Sequence, residues 1–214
     1  MKKSVYSLVL MDEVVKAVDE KAYQLNTSRS NLINQILAEN LSCITPEMRM
    51  RSIFSSISNL LNTDFQIQQM RSDSLLNIKT VLEYKYRPTV NYKVELSRSP
   101  DIYLGSLKVH IRTQSAQFIS LFNNFFTVWI NFETEILSQL GIYDYSCNLE
   151  SGCFTRMLLN ENKLSDEEIG TAIYSYISLL DHSIKLYFSD PQNFQLVLPR
   201  IKSLYNTQLK IAII

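Results

Sequence analysis

The chain has 214 residues, of which 46% are apolar and 20% charged, the composition of a soluble globular protein with one or two domains. Its 21 basic and 21 acidic side chains cancel, which excludes a globally basic surface as the source of any affinity for nucleic acid. The sequence predicts no membrane span and no signal peptide, and three cysteines without a CxxC pair favour a cytoplasmic protein over a disulfide scaffold.

The first forty residues predict one strand followed by two helices. Alternating, partly β-branched residues at 5–10 indicate a short strand. Asp12 is then expected to cap a helix with one apolar stripe, and Asn26 to end that helix in the left-handed conformation. A second amphipathic helix follows from Thr27 to Leu41.

Such a short segment buries too little apolar surface to fold alone. Its strand would leave an unpaired edge, and both helical stripes would face water. A symmetric homodimer, in which two strands pair antiparallel and four helices share one core, solves both problems. The predicted dimer core consists of Tyr6, Leu8, Leu10, Val14, Val18, Ala22, Leu32, Ile33, Ile36 and Leu37.

The order strand, helix, helix, with the corner sequence TSRSNLI, resembles the ribbon-helix-helix fold of the Arc and Met repressors. The resemblance covers about the first fifth of the chain and implies double-stranded DNA as a partner. In that family the paired ribbon enters the major groove and its outward side chains contact bases. Val5, Ser7 and Val9 match those positions, although family members usually have longer polar side chains there.

The resemblance also implies a phosphate site at the start of the second helix, where the first-turn amides lack intrahelical acceptors. The alternative is that Thr27 or Ser28 simply caps this helix. The predicted phosphate-binding residues, which include two lysines beside the ribbon, are Lys2, Lys3, Thr27, Ser28, Arg29 and Ser30.

We place a domain boundary near residue 45, which gives a ribbon-helix-helix head over 1–45 and an α+β domain over 46–214. Thr45-Pro46-Glu47 begins a helix that extends to about Asn62. A period of two over 76–86, 90–97 and 107–112 predicts a three-stranded antiparallel meander within a mostly helical domain. Its inner face would hold Tyr84, Tyr86 and Tyr92.

The outer face of the meander would be polar and mostly basic. It has two interpretations: a solvated face with mixed cross-strand charges, or an auxiliary phosphate-binding surface. The charged residues assigned to it are Lys79, Lys85, Arg87, Lys93, Lys108 and Arg112, against Glu83 and Glu95.

Three helices complete the second domain. Residues 114–139 form a long helix with an aromatic stripe, which is typical of a core rather than a cofactor pocket. Ser165 and Glu168 form a capping box for a helix that ends near Ser189. A last helix starts at Asp190-Pro191 and is expected to be interrupted at Pro199.

No motif of an enzyme, metal site or cofactor site is present, and the two histidines are isolated. The first hypothesis, which the ribbon-helix-helix resemblance implies, is a homodimeric, bacterial-type transcriptional repressor or related regulator, whose second domain binds an unknown ligand or protein or mediates assembly. The alternative is an adaptor protein that uses the head only for dimerisation. An antitoxin is a variant of the first hypothesis, disfavoured because the C-terminal part has the pattern of a folded domain.

Overall fold

The computed structural model describes residues 5–85, 87–160 and 164–209, and it has the mixed helix and strand of an α+β protein. The chain divides into two compact units, Met1–Arg49 and Met50–Ile214. In the described residues, no helix is both long enough and apolar enough to cross a membrane.

The first unit contains helices α1 (Asp12–Gln24) and α2 (Arg29–Asn40). The N-cap of α1 is Met11 without a side-chain hydrogen bond, so the prediction that Asp12 caps this helix is wrong. Asp12 instead occupies the first helical position, where its charge favours the helix dipole. Asn26 has the predicted left-handed conformation, with φ of 50°, and ends α1.

The corner between these helices is a Schellman motif. The amide of Thr27 donates to the carbonyl of Ala22 at 3.0 Å, and the amide of Asn26 donates to that of Tyr23 at 3.1 Å. Ser28 then caps α2, its hydroxyl accepting from the amide of Asn31 at 3.2 Å. Both caps follow from local sequence, because asparagine tolerates positive φ and serine is a favoured N-cap.

Residues 5–10 have no assigned strand in the single chain, where a strand was predicted. Strand assignment requires a paired neighbour, and the predicted neighbour is the same segment of a second copy. Met11 has extended dihedral angles, φ −65° and ψ 144°, immediately before α1.

The second unit is built on a six-stranded antiparallel sheet, so the predicted three-stranded meander is wrong. The three predicted strands are present as neighbours, β2, β3 and β4, in the strand order β1-β2-β3-β4-β6-β5. The strands are β1 (Gln66–Ser72), β2 (Leu75–Val81), β3 (Thr89–Leu96), β4 (Tyr103–Arg112), β5 (Cys147–Glu150) and β6 (Cys153–Leu159).

Four helices contribute to one hydrophobic core with the inner face of the sheet, the first of them from Met50 onward. They are α3 (Pro46–Leu60), α4 (Ala116–Gln139), α5 (Asp166–Ser189) and α6 (Phe194–Leu209), the last preceded by a short 3-10 helix (Pro191–Asn193). The capping box of Ser165 and Glu168 is confirmed. Helix α6 continues through Pro199, so the predicted interruption there is wrong.

Alternate strand residues point to opposite faces of the sheet. Tyr92 is fully buried on the inner face, and Tyr84 in the β2–β3 connection stacks edge-on against Phe118; Tyr86 lies outside the described residues. Lys79, Lys93, Lys108 and Arg112 lie on the other face, as predicted. Glu83, Lys85 and Arg87 do not, because β2 ends at Val81 and they belong to the connection.

Candidate functional site

The predicted base-facing residues lie in the exposed segment before α1. Val5 and Val9 are fully exposed, and Ser7 between them is exposed as well. The side chains of Leu8 and Leu10, at alternate positions, are 53% and 39% exposed. The segment thus presents a small valine and serine set beside a larger apolar set.

The predicted dimer core divides into buried and exposed positions in the single chain. Ala22 and Leu32 are buried, and Val18 and Ile33 are half-buried. The remaining six are exposed to 36% or more of their surface: Tyr6, Leu8, Leu10, Val14, Ile36 and Leu37. These exposures are compatible with the predicted dimer, in which a second copy would cover the six side chains.

The predicted phosphate residues gather at the start of α2. The amides of Arg29 and Ser30 belong to the first turn of α2, where helix geometry gives them no intrahelical acceptor. The guanidinium of Arg29 donates from Nη2 to Oδ2 of Asp19 at 2.6 Å, which partly neutralises the positive charge of this corner. Asn31 donates to the hydroxyl of Thr27 at 2.9 Å. Lys2 and Lys3 lie outside the described residues.

The second unit holds a buried ion pair that the sequence did not indicate. Glu133 on α4 and Arg156 on β6 are 0% and 1% exposed, and Nε of Arg156 donates to Oε1 of Glu133 at 3.1 Å. Four further donors reach the same carboxylate: Tyr205 at 2.6 Å, Tyr145 at 2.9 Å, and Tyr176 and Trp129 at 3.1 Å. We refer to these six residues as the Glu133 cluster.

The electrostatics of the Glu133 cluster follow from its burial. Burial, and then the Glu133 carboxylate, raise the pKa of Tyr205 and of Tyr145 well above 10. Burial lowers the pKa of the Arg156 guanidinium, but the Glu133 carboxylate together with Tyr176, Tyr205 and Tyr145 raises it by more, so the arginine stays charged. The guanidinium also lies over the ring of Tyr176, with Cζ 4.5 Å from the centroid.

The Glu133 cluster serves structure better than catalysis. An ionised carboxylate has about four acceptor sites, and five donors already occupy those of Glu133. No acceptor site remains for a substrate proton. The donors come from α4, α5, α6, β6 and the segment before β5, so the carboxylate joins the helices to the sheet.

A second buried carboxylate, Asp181 on α5, lies at the other end of the sheet. Its Oδ1 accepts from the hydroxyls of Thr80 at 2.7 Å and Tyr92 at 2.9 Å, and its Oδ2 pairs with Nζ of Lys185 at 2.7 Å. Lys185 also lies 3.7 Å from Asp64 and lines an open groove of about 530 Å³. Lys185 and Asp64 pair with each other in this groove, and Glu83 is its other charged lining residue.

Sequence reasoning missed both buried carboxylates. Glu133 falls on the apolar side of α4, directly after Phe132, and this position inside an aromatic stripe is the signal that was available. Arg156 gives a similar signal, since it alternates in phase with the buried Phe154 and Leu158. In the described part of the chain, no group of three or more His, Cys, Asp or Glu side chains is arranged to hold a metal ion, and all three cysteines are free thiols.

Comparison with known proteins gives no relative for this chain: family models, curated proteins and solved structures all return no significant match.

Proposed function

We propose that the protein is a homodimeric DNA-binding transcriptional regulator whose first unit is a ribbon-helix-helix head. In this proposal the segments 5–10 of two copies pair as an antiparallel ribbon in the major groove. The start of α2 from each copy contacts a phosphate on either side. The second unit then acts as the ligand-binding or assembly domain.

The observation that carries the proposal is the succession of elements in the first unit. An exposed segment of alternating character leads without a loop into a helix of 13 residues, and a Schellman corner connects this to a helix of 12 residues. The larger apolar residues of the segment are exposed to solvent, and so are Ile36 and Leu37 of α2. A second copy would cover these side chains, because a two-fold interface brings the same surface of each protomer together.

The chemistry of the ribbon limits what it reads. Valine contacts only the methyl group of thymine, and a serine hydroxyl bonds to several base edges without discriminating between them. We therefore expect modest sequence preference from Val5, Ser7 and Val9, with most of the affinity coming from phosphate contacts. The amides of Arg29 and Ser30 would supply one such contact per protomer.

A second candidate function is a dimeric adaptor, in which the head serves only for dimerisation. Two observations favour it: the small, largely uncharged ribbon face, and the pairing of Arg29 with Asp19, which offsets the positive charge at the phosphate corner. In this case the partner of the second unit would be a protein, and DNA would not be retained.

The test combines sedimentation equilibrium with fluorescence anisotropy of labelled duplex DNA at two salt concentrations. We expect a dimer whose affinity falls steeply with salt. The variant Ser7→Glu should remain dimeric but lose DNA, because it adds one negative charge per protomer to the base-facing side only.

The matched control is Ser99→Glu, which adds the same charge at an exposed connection of the second unit and should leave binding unchanged. A monomeric wild-type chain, or equal binding by both variants, would refute the regulator. A dimer without DNA affinity, whose protein partner is still captured after Val5→Glu and Ser7→Glu, would establish the adaptor instead.

A further inference from the structure

The sheet of the second unit has one face that its helices do not use. Along β2, β3 and β6, and from Leu107 to Ile111 of β4, every second residue is buried, and the apolar ones belong to the core shared with α3 to α6. Residues of the other parity, such as Lys79 and Lys93, remain partly exposed. We call this the outer face; it comprises the outward residues of β2, β3, β4, β5 and β6.

The strand register places basic and neutral polar side chains at the centre of the outer face. One cross-strand row runs Asn77, Lys93, Lys108, Thr155, and the adjacent row runs Lys79, Asn91, His110. Arg112 continues the β4 series, so Lys108, His110 and Arg112 are spaced by about 7 Å along one strand. The two described carboxylates of this face, Glu95 and Glu150, lie towards its margins.

Lys93 and Lys108 are directly opposite each other across β3 and β4. Their Cβ atoms are therefore about 5 Å apart, a distance at which like charges destabilise a sheet. Lys93 is partly compensated by Glu95, with Nζ 3.5 Å from Oε2. Among residues 5–85, 87–160 and 164–209, no ion pair compensates Lys108, Lys79 or Arg112. An anion over the centre of the face would remove this repulsion.

We propose that the outer face binds the phosphate backbone of duplex nucleic acid without sequence preference. Lysine, arginine, asparagine and threonine are the side chains that contact phosphate and sugar oxygens in such complexes. A single strand would require exposed aromatic rings for base stacking, whereas Tyr92 is buried on the inner face. An acidic polypeptide is less well matched, because the amide and hydroxyl groups between the lysines suit a regular array of phosphates. The proposal does not require the head to bind DNA.

The experiment measures binding of the full chain to a labelled duplex of arbitrary sequence between about 50 and 200 mM salt. The test variant is Lys79→Gln with Lys108→Gln. Each lost phosphate contact reduces the slope of log K against log salt by about 0.9. We therefore expect the slope to become shallower by about 1.8, and the loss of affinity over this salt range to shrink about tenfold.

The matched control is Arg200→Gln with Lys202→Gln, which removes the same charge from α6 on the helical side of the sheet and should leave the slope unchanged. Folding of the test variant is checked by its urea midpoint, which should not fall, since a repulsive pair has been removed. An unchanged slope in the test variant overturns the proposal. The proposal is also overturned if the wild-type chain prefers a single strand or polyglutamate to the duplex and the test variant loses that preference.

The outcomes separate this proposal from the regulator. Binding that depends on Lys79 and Lys108 but is indifferent to Ser7→Glu supports the outer face and refutes the head as the DNA-binding unit. Binding that is lost in Ser7→Glu and unaffected in the lysine variant does the reverse. A chain with no salt-dependent affinity for duplex refutes both.

Discussion

Glu133 provides the most direct test of what stabilises the second unit. Replacing it by glutamine keeps the volume and one acceptor oxygen but removes the charge that compensates Arg156, which is 1% exposed. Breaking a buried ion pair by removing one partner costs about 3–5 kcal/mol. A domain of this size has a total stability of about 5–15 kcal/mol. Glu133→Gln should therefore lose a large part of the stability of this unit.

Urea unfolding measures this change, and Trp129 gives the signal. It is the single tryptophan of the chain and donates to Glu133 at 3.1 Å, so its fluorescence reports on the Glu133 cluster itself. Glu135→Gln is the matched control on the same helix. Its carboxylate is 60% exposed and 3.6 Å from Lys202, and such surface pairs contribute about 0–1 kcal/mol.

A double variant separates the charge from the packing. If the loss reflects an uncompensated Arg156, then adding Arg156→Met to Glu133→Gln should recover part of the stability, because the unpaired charge is removed while the glutamine oxygen can still accept from the tyrosines. The reasoning is refuted if Glu133→Gln and Glu135→Gln lie within about 1 kcal/mol of each other.

Two further predictions concern the second unit. Gly170→Ala should destabilise the chain by about 1–3 kcal/mol despite the better helix propensity of alanine, because a Cβ there would lie 2.6 Å from Cβ of Ser56 and 2.8 Å from the carbonyl oxygen of Ile53. Urea unfolding measures the change, with Ser175→Ala on the same helix as the control. A Gly170→Ala variant more stable than the wild type would contradict the close approach of α3 and α5. Because the pKa of Tyr205 is raised above its usual 10.0 by burial and by Glu133, its contribution to stability is fully present below pH 10 and is lost as pH rises beyond it. Tyr205→Phe should then reduce the dependence of stability on pH above 10 by about 1.4 kcal/mol per pH unit, and equal slopes by circular dichroism in both proteins would contradict this.

The local signals in the sequence predicted local structure well. The Thr45-Pro46-Glu47 start of α3, the left-handed Asn26 and the Ser165 capping box are confirmed, because each depends on a few neighbouring residues. Asp12 failed as a cap because Met11 already has the extended dihedral angles of an N-cap, which leaves Asp12 one position inside the helix.

The strands that were missed are those whose stability comes from their neighbours. β1 contains one described aliphatic side chain, Ile67, β5 is four residues long, and the alternation of β6 is disguised by the buried Arg156. None of these segments has a clear period of two in its own sequence. β6 pairs with β4, which is more than 40 residues earlier in the chain, and β5 pairs with β6. These strands can therefore be assigned only once the pairing of distant segments is known. The Glu133 cluster could not be assembled from the sequence for the same reason, since its six residues come from five separate parts of the chain.

The two proposals together place affinity and selectivity in different parts of the molecule. A ribbon of valine and serine discriminates bases weakly, and the outer face offers only phosphate contacts. If both bind, the tethered second contact raises the effective concentration of the first, so avidity increases without added base reading. Selectivity would then depend on the length of the duplex, because only a duplex long enough to reach both surfaces gains from the second contact. Shortening the duplex until it reaches only one surface should consequently lower the affinity more than changing the base opposite Ser7.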